Sequence, residues 1–127
     1  MPTIKIELQT GIDRPMLILL RDIVMDSVAG VLQLLPDDRN IRIIEYLPEL
    51  FQMKKPYKVL IEISMFTGRS KETKKNLYKT ITENIAASGI FDKENILIVL
   101  NEVPLQNWGV RGGIPADEVN LGFKVDV

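Results

Sequence analysis

The 127-residue sequence contains no cysteine and no histidine. Without cysteine there are no disulfides, no thiolate metal sites and no cysteine nucleophile. Without histidine the commonest general base and the commonest transition-metal ligand are gone. Acid–base chemistry therefore falls to a carboxylate, a lysine, a tyrosine or the chain terminus. An excess of one charge is missing too. Sixteen Lys and Arg face seventeen Asp and Glu, a net charge of -1. That balance argues against the clustered basic footprint of a nucleic-acid binder. The densest basic cluster, Lys71, Lys74, Lys75 and Lys79, reads as the solvated face of a helix. Long apolar runs are also lacking. The longest early one, Met16 to Leu20, is too short for a membrane span or a signal core. A cytoplasmic protein with no membrane association is the expectation.

What is present suits one compact domain covering residues 1–127, with 46% hydrophobic residues to build its core. Thr3 to Leu8 alternates apolar and polar, as a strand does, and Gly11 breaks it. Asp13 is a candidate helix cap, with Pro15 in the first turn. Leu17, Leu20, Val24, Val28 and Val31 recur at helical spacing, and the helix is expected to end near Leu35. A second strand runs from Ile41 to Tyr46. Pro48 to Pro56 reads as a connecting loop. Lys58 to Met65 is a third strand, and Thr67-Gly68-Arg69 a turn leading to a cap at Ser70. Leu77, Ile81 and Ile85 mark a second helix, with Gly89 as its stop. Asn95 to Leu100 is a fourth strand.

The two halves keep the same spacing. Their strands and helix caps repeat at separations of about 55 residues, although residue identity between them is low. The expected fold is α/β: two right-handed βαβ units, about residues 2–47 and 57–101, forming a four-stranded sheet with two helices on one face. The glycine-rich remainder, residues 104–127, ends in an alternation of Leu121, Phe123, Val125 and Val127. This reads as a short edge strand. Paired with a neighbouring subunit, it would cover an exposed edge, so oligomerisation is expected.

Proline at position 2 is ordinary by itself. After a small second residue, however, the initiator methionine is commonly removed. A secondary amine on a rigid ring then remains, held still by the strand that follows. An α-amino group titrates near 8. A neighbouring cation or an apolar pocket lowers that value and leaves a neutral base near pH 7.

Three segments carry a resemblance. They are Pro2-Thr3-Ile4-Lys5-Ile6, Asp37-Asp38-Arg39, and Phe66-Thr67-Gly68-Arg69-Ser70 with the helix after it. A fourth is Asn107-Trp108-Gly109-Val110-Arg111-Gly112-Gly113. Together they resemble the tautomerase superfamily, above all its malonate semialdehyde decarboxylase-like group. The resemblance implies a homotrimer with sites near subunit boundaries, small keto or enol acids as substrates, and neither cofactor nor metal. It makes Pro2 the catalytic amine and Arg69 the holder of a substrate carboxylate, for which a planar guanidinium is suited. Asp38 matches an acid that orients or activates water, although Pro-Asp-Asp is also plain turn chemistry. Trp108 matches the apolar wall of the pocket. Arg111, between glycines, is a further candidate for substrate contact, as is Thr67 in the turn before Arg69.

One position departs from that group. Its second arginine falls where this chain has Thr67, which favours proton transfer over decarboxylation. Arg111 or Arg39 is a candidate replacement. Three activities stay open at this point: enol–keto tautomerisation, decarboxylation or hydration of a β-keto-type acid, and ligand binding by a non-catalytic ferredoxin-like domain.

Overall fold

The computed structural model describes residues 1–122. The chain runs β1 (Thr3–Gln9), α1 (Arg14–Leu32), β2 (Ile41–Tyr46), β3 (Val59–Phe66), α2 (Lys71–Ser88) and β4 (Ile96–Val103). A two-stranded hairpin follows, β5 (Gly109–Val110) with β6 (Ile114–Pro115). The main sheet has the order β2-β1-β3-β4. β1 pairs with β2, and β3 with β4, in parallel; the central pair β1–β3 is antiparallel. In each half the parallel partners pair directly, Ile4 with Ile41 and Val59 with Ile96, an offset of 37 residues in both. A ferredoxin-like sheet splits its βαβ units with an intervening strand, so this strand order excludes that arrangement.

Alternation sorts the strands. Ile4, Ile6 and Leu8 of β1 and Val59, Ile61 and Ile63 of β3 are at most 1% exposed. They pack against Leu20, Val24, Met25 and Val28 of α1 and Leu77, Ile81 and Ile85 of α2. Both helices therefore cover one face. Each fully buried aliphatic side chain there contributes about 1.5–3 kcal/mol of burial free energy.

The helix ends follow local chemistry. Asp13 is the N-cap of α1 with Pro15 in the first turn, but its side chain makes no cap bond. Its backbone carbonyl accepts from Met16 and Leu17 instead. α1 stops at Leu32, short of Leu35, because Gln33 turns left-handed at φ 55 and its N–H donates to the Ala29 carbonyl. The side chain of Ser70 accepts from the Thr73 N–H at 3.1 Å and starts α2. Gly89, at φ 80, ends it.

The connection between β2 and β3 carries a short 3-10 turn at Pro48–Leu50, matched after β4 by another at Leu105–Asn107. The tail builds the β5–β6 hairpin, which the sequence pattern did not suggest. The expected edge strand from Leu121 to Val127 lies largely outside the described residues; Leu121 and Gly122 belong to no strand.

The sheet face opposite the helices carries Lys5, Glu7 and Glu62. Lys5 Nζ lies 3.4 Å from Glu7 and 3.9 Å from Glu62. The Tyr46 hydroxyl donates to Glu7. That hydrogen bond, then Lys5, holds the Glu7 carboxyl below its ordinary range, while the same bond raises the Tyr46 phenol.

Candidate active site

Topology brings four separate pieces of chain to one end of the sheet. The central pair is antiparallel, so the start of β1 lies beside the end of β3, with Thr3 opposite Ser64. β2 runs parallel to β1, so the segment leading into Ile41 arrives beside the chain start. β4 runs parallel to β3, so Phe66 sits opposite Val103 and the tail departs from the same end. Pro2, Asp38, Arg69 and Trp108 are thereby gathered from distant parts of the sequence.

The gathered charges are a cation, an anion and the terminal amine. Asp38 Oδ2 lies 3.2 Å from the nitrogen of Met1, with only 11% of the Asp38 side chain exposed. Asn40 Nδ2 donates to the other carboxylate oxygen at 3.1 Å. Arg69 is the one buried basic residue among those described, 6% exposed. It is carried inward by the turn before α2, where Gly68 takes φ 135, a conformation costly for any side chain with a Cβ.

The Met1 amine is held below its ordinary value near 8. Burial is the main cause, and the Arg69 charge acts in the same direction. The Asp38 charge and its hydrogen bond oppose this in part. Pro2 itself is buried directly behind Met1.

An apolar wall completes the arrangement. Phe66, Val110 and Ala116 form a small second core, with Met1 and Trp108 packed against it. The Phe66 and Trp108 rings meet edge-to-face, centroids 4.9 Å apart and planes at 74°. Trp108 Nε1 donates to the Val103 carbonyl at 3.0 Å, which fixes the indole.

The remaining candidates are placed differently. Thr67 is exposed, and its backbone N–H donates to the Val103 carbonyl at 3.3 Å, at the rim. Arg39 Nη1 donates to Asp26 at 2.8 Å, directing that cation toward α1. Arg111 takes φ 47 in the hairpin turn, and its Nη1 donates to the Asn120 carbonyl at 2.7 Å. Sequence reasoning missed Asn40. Its signal is local, because a residue two after an aspartate is well placed to return a hydrogen bond in a turn. It also missed Val110 and Ala116, whose burial depends on a hairpin that carries almost no periodic pattern.

Among the described residues, no group of His, Cys, Asp and Glu suits a metal ion. Nor is any helix long and apolar enough to cross a membrane.

Comparison with known proteins agrees with this fold. A family profile described as "Tautomerase enzyme" matches residues 38–111. A probable tautomerase of Ralstonia nicotianae is 32% identical over 53 residues, 42% of this chain and 76% of that protein. A probable tautomerase of Lactiplantibacillus plantarum is 30% identical over 59 residues, 46% of this chain and 92% of that protein. Among solved structures, a native fused 4-OT superposes with a TM-score of 0.83 at 17% identity, covering 95% of this chain and 99% of the other. The FG41 malonate semialdehyde decarboxylase inhibited by 3-bromopropiolate gives 0.79 at 23% identity, covering 89% and 92%.

Proposed function

The chain belongs to the tautomerase family, and from that premise we propose that it is a cofactor-independent enol–keto tautomerase whose base is the amine of Pro2. The observation that carries this reading is the meeting of the terminal amine, Asp38 and Arg69 against one apolar wall. While Met1 is present, the Pro2 nitrogen is an amide and cannot accept a proton. Removal of Met1 frees a secondary amine beside the same Asp38 carboxylate and Arg69 guanidinium. It also vacates the place of the Met1 side chain against the small core of Phe66, Val110 and Ala116 for a small organic acid.

The reaction follows from these groups. Burial and the Arg69 charge favour the neutral form of the Met1 amine, and the same surroundings are expected to act on the Pro2 amine that replaces it. Neutral Pro2 takes the hydroxyl proton of an enol, or a proton from carbon beside a carbonyl. The resulting enolate is stabilised by the Arg69 guanidinium, which also grips the substrate carboxylate. The protonated amine then returns one proton to the other atom, so the substrate is isomerised and the enzyme restored. Asp38 stabilises the ammonium formed in mid-reaction and keeps it aimed. Small 2-keto acids and their enols, with one carboxylate, fit a site with one committed guanidinium.

The reading includes a homotrimer. The helix-free face of the sheet carries the Lys5, Glu7, Glu62 and Tyr46 network, and the fused 4-OT neighbours include symmetric and asymmetric trimers. Sedimentation of the purified protein tests the assembly. Ketonisation of phenylenolpyruvate by the processed chain, compared with Pro2→Ala, tests the base. Release of acetaldehyde from malonate semialdehyde would reassign the reaction to a decarboxylase.

A further inference from the structure

The internal repeat places a second cavity at the opposite end of the sheet. The two halves are equivalent at an offset of 55, which maps Ile4 on Val59 and Ile41 on Ile96. At the helix caps and the 3-10 turns the offset is 57, relating Asp13 to Ser70 and Phe51 to Trp108. The start of β3 meets the end of β1 just as the start of β1 meets the end of β3. The counterpart of the Pro2 site is therefore the space between Tyr57 and the loop that enters α1. A cavity of about 520 Å³ occupies that space.

Pro2 and Arg69 have uncharged counterparts here, while Asp38 maps on Lys93, which lies outside the lining of the cavity. Tyr57 stands where Pro2 does, and Ile12 stands where Arg69 does, immediately before a helix cap. Phe51 stands where Trp108 does, following a 3-10 turn. The connection that mirrors the Asp38 loop contributes Phe91. The Tyr57 nitrogen is a mid-chain amide that already donates to the Lys54 carbonyl at 2.9 Å. This end of the sheet can hold a molecule but has no terminal amine.

The lining states what kind of molecule. Leu8, Ile12, Phe51, Met53, Tyr57 and Phe91 make the walls. Lys58 and three uncharged polar residues share the lining with them, and no acid does. Lys54, Lys55 and Lys58 lie in a stretch, residues 50–61, without any Asp or Glu. None of the three forms an ion pair among the described residues. The volume falls within the range of small-molecule sites, which pair an apolar body with a few placed polar groups.

We propose that this cavity is a second, non-catalytic binding site for a small apolar monocarboxylate, its body among the aromatic rings and its carboxylate on Lys58. The site stands whether or not Pro2 is a base.

The probe is 3-phenylpropanoate, titrated into the full chain and followed by amide NMR. Saturable shifts are expected at Thr10, Gln52 and Lys58, and they persist in Pro2→Ala. Lys58→Glu, a change at an exposed residue, should weaken binding about tenfold by replacing attraction with repulsion. It should leave turnover of phenylenolpyruvate unchanged. The uncharged 3-phenylpropanamide should bind more weakly than the acid. Shifts confined to the Pro2 end of the sheet, or a cavity filled by a neighbouring subunit and silent to the probe, would overturn the proposal. Equal binding of the acid to wild type and Lys58→Glu, or equal binding of acid and amide, would overturn it as well.

Discussion

Asp38 holds the terminal amine at 3.2 Å through one carboxylate oxygen, while Asn40 holds the other oxygen at 3.1 Å. The carboxylate is thus aimed by a neighbour two residues away, and it favours the protonated amine. In processed Asp38→Asn that support is lost, so the Pro2 amine, standing in for the Met1 amine, is expected to titrate lower still. The base must be neutral, so the acid limb of kcat/KM should move to lower pH. The maximal rate should fall, because the intermediate ammonium loses its counter-ion. A pH–rate profile of the processed variant checks both. An acid limb that moves upward would contradict this role for Asp38.

Arg69 acts on the same amine with opposite sign. Arg69→Ala removes a cation that disfavours protonation, so the acid limb should move to higher pH. It also removes the carboxylate grip, with a loss of kcat/KM of about a hundredfold. Arg69→Lys should restore the position of the limb better than the rate, since an ammonium keeps the charge but not the paired donors.

Phe66 and Trp108 form part of the apolar wall against which Met1 packs. Phe66 is 1% exposed, so Phe66→Ala should cost about 3–5 kcal/mol in denaturant unfolding. Trp108→Phe retains an apolar ring and should keep most of the stability, losing only the bond to the Val103 carbonyl. Trp108→Ala opens the wall to water. Burial is the main influence lowering the amine, so in Trp108→Ala the acid limb should move to higher pH.

Gly89 ends α2 with φ 80, and a Cβ there would meet no atom within 4 Å. The cost of Gly89→Ala is therefore conformational, about 1 kcal/mol, and Gly89→Asn should cost less. Thermal unfolding of the two variants gives the order.

The fold was legible because its signals are periodic. Ile4, Ile6 and Leu8 alternate, Leu77, Ile81 and Ile85 recur at helical spacing, and both patterns survive into burial of at most 1%. The common offset of the two halves gave the tandem βαβ plan, and the pairings of Ile4 with Ile41 and Val59 with Ile96 follow it. Periodicity could not say which strands become neighbours. The antiparallel β1–β3 pairing decides that Pro2, Asp38, Arg69 and Trp108 share one end, and that pairing is a tertiary event. The gathering of those four was accessible from the sequence only through family resemblance. Arg39 and Arg111 show the limit of residue type as a guide: both are arginines in loops, yet their guanidinium groups are directed to Asp26 and to the Asn120 carbonyl. The small core that Val110 and Ala116 build on Phe66 escaped notice because those two residues are isolated among glycines and turns.

Catalysis as proposed requires that proton transfer begin at the second residue. The most direct measurement pairs intact mass with phenylenolpyruvate turnover for three preparations: processed chain, chain retaining Met1, and processed Pro2→Ala. The expected result is ketonisation only in the first, at least about a hundredfold above the other two. Equal turnover by the chain that keeps Met1, whose proline nitrogen carries no basic lone pair, would contradict it.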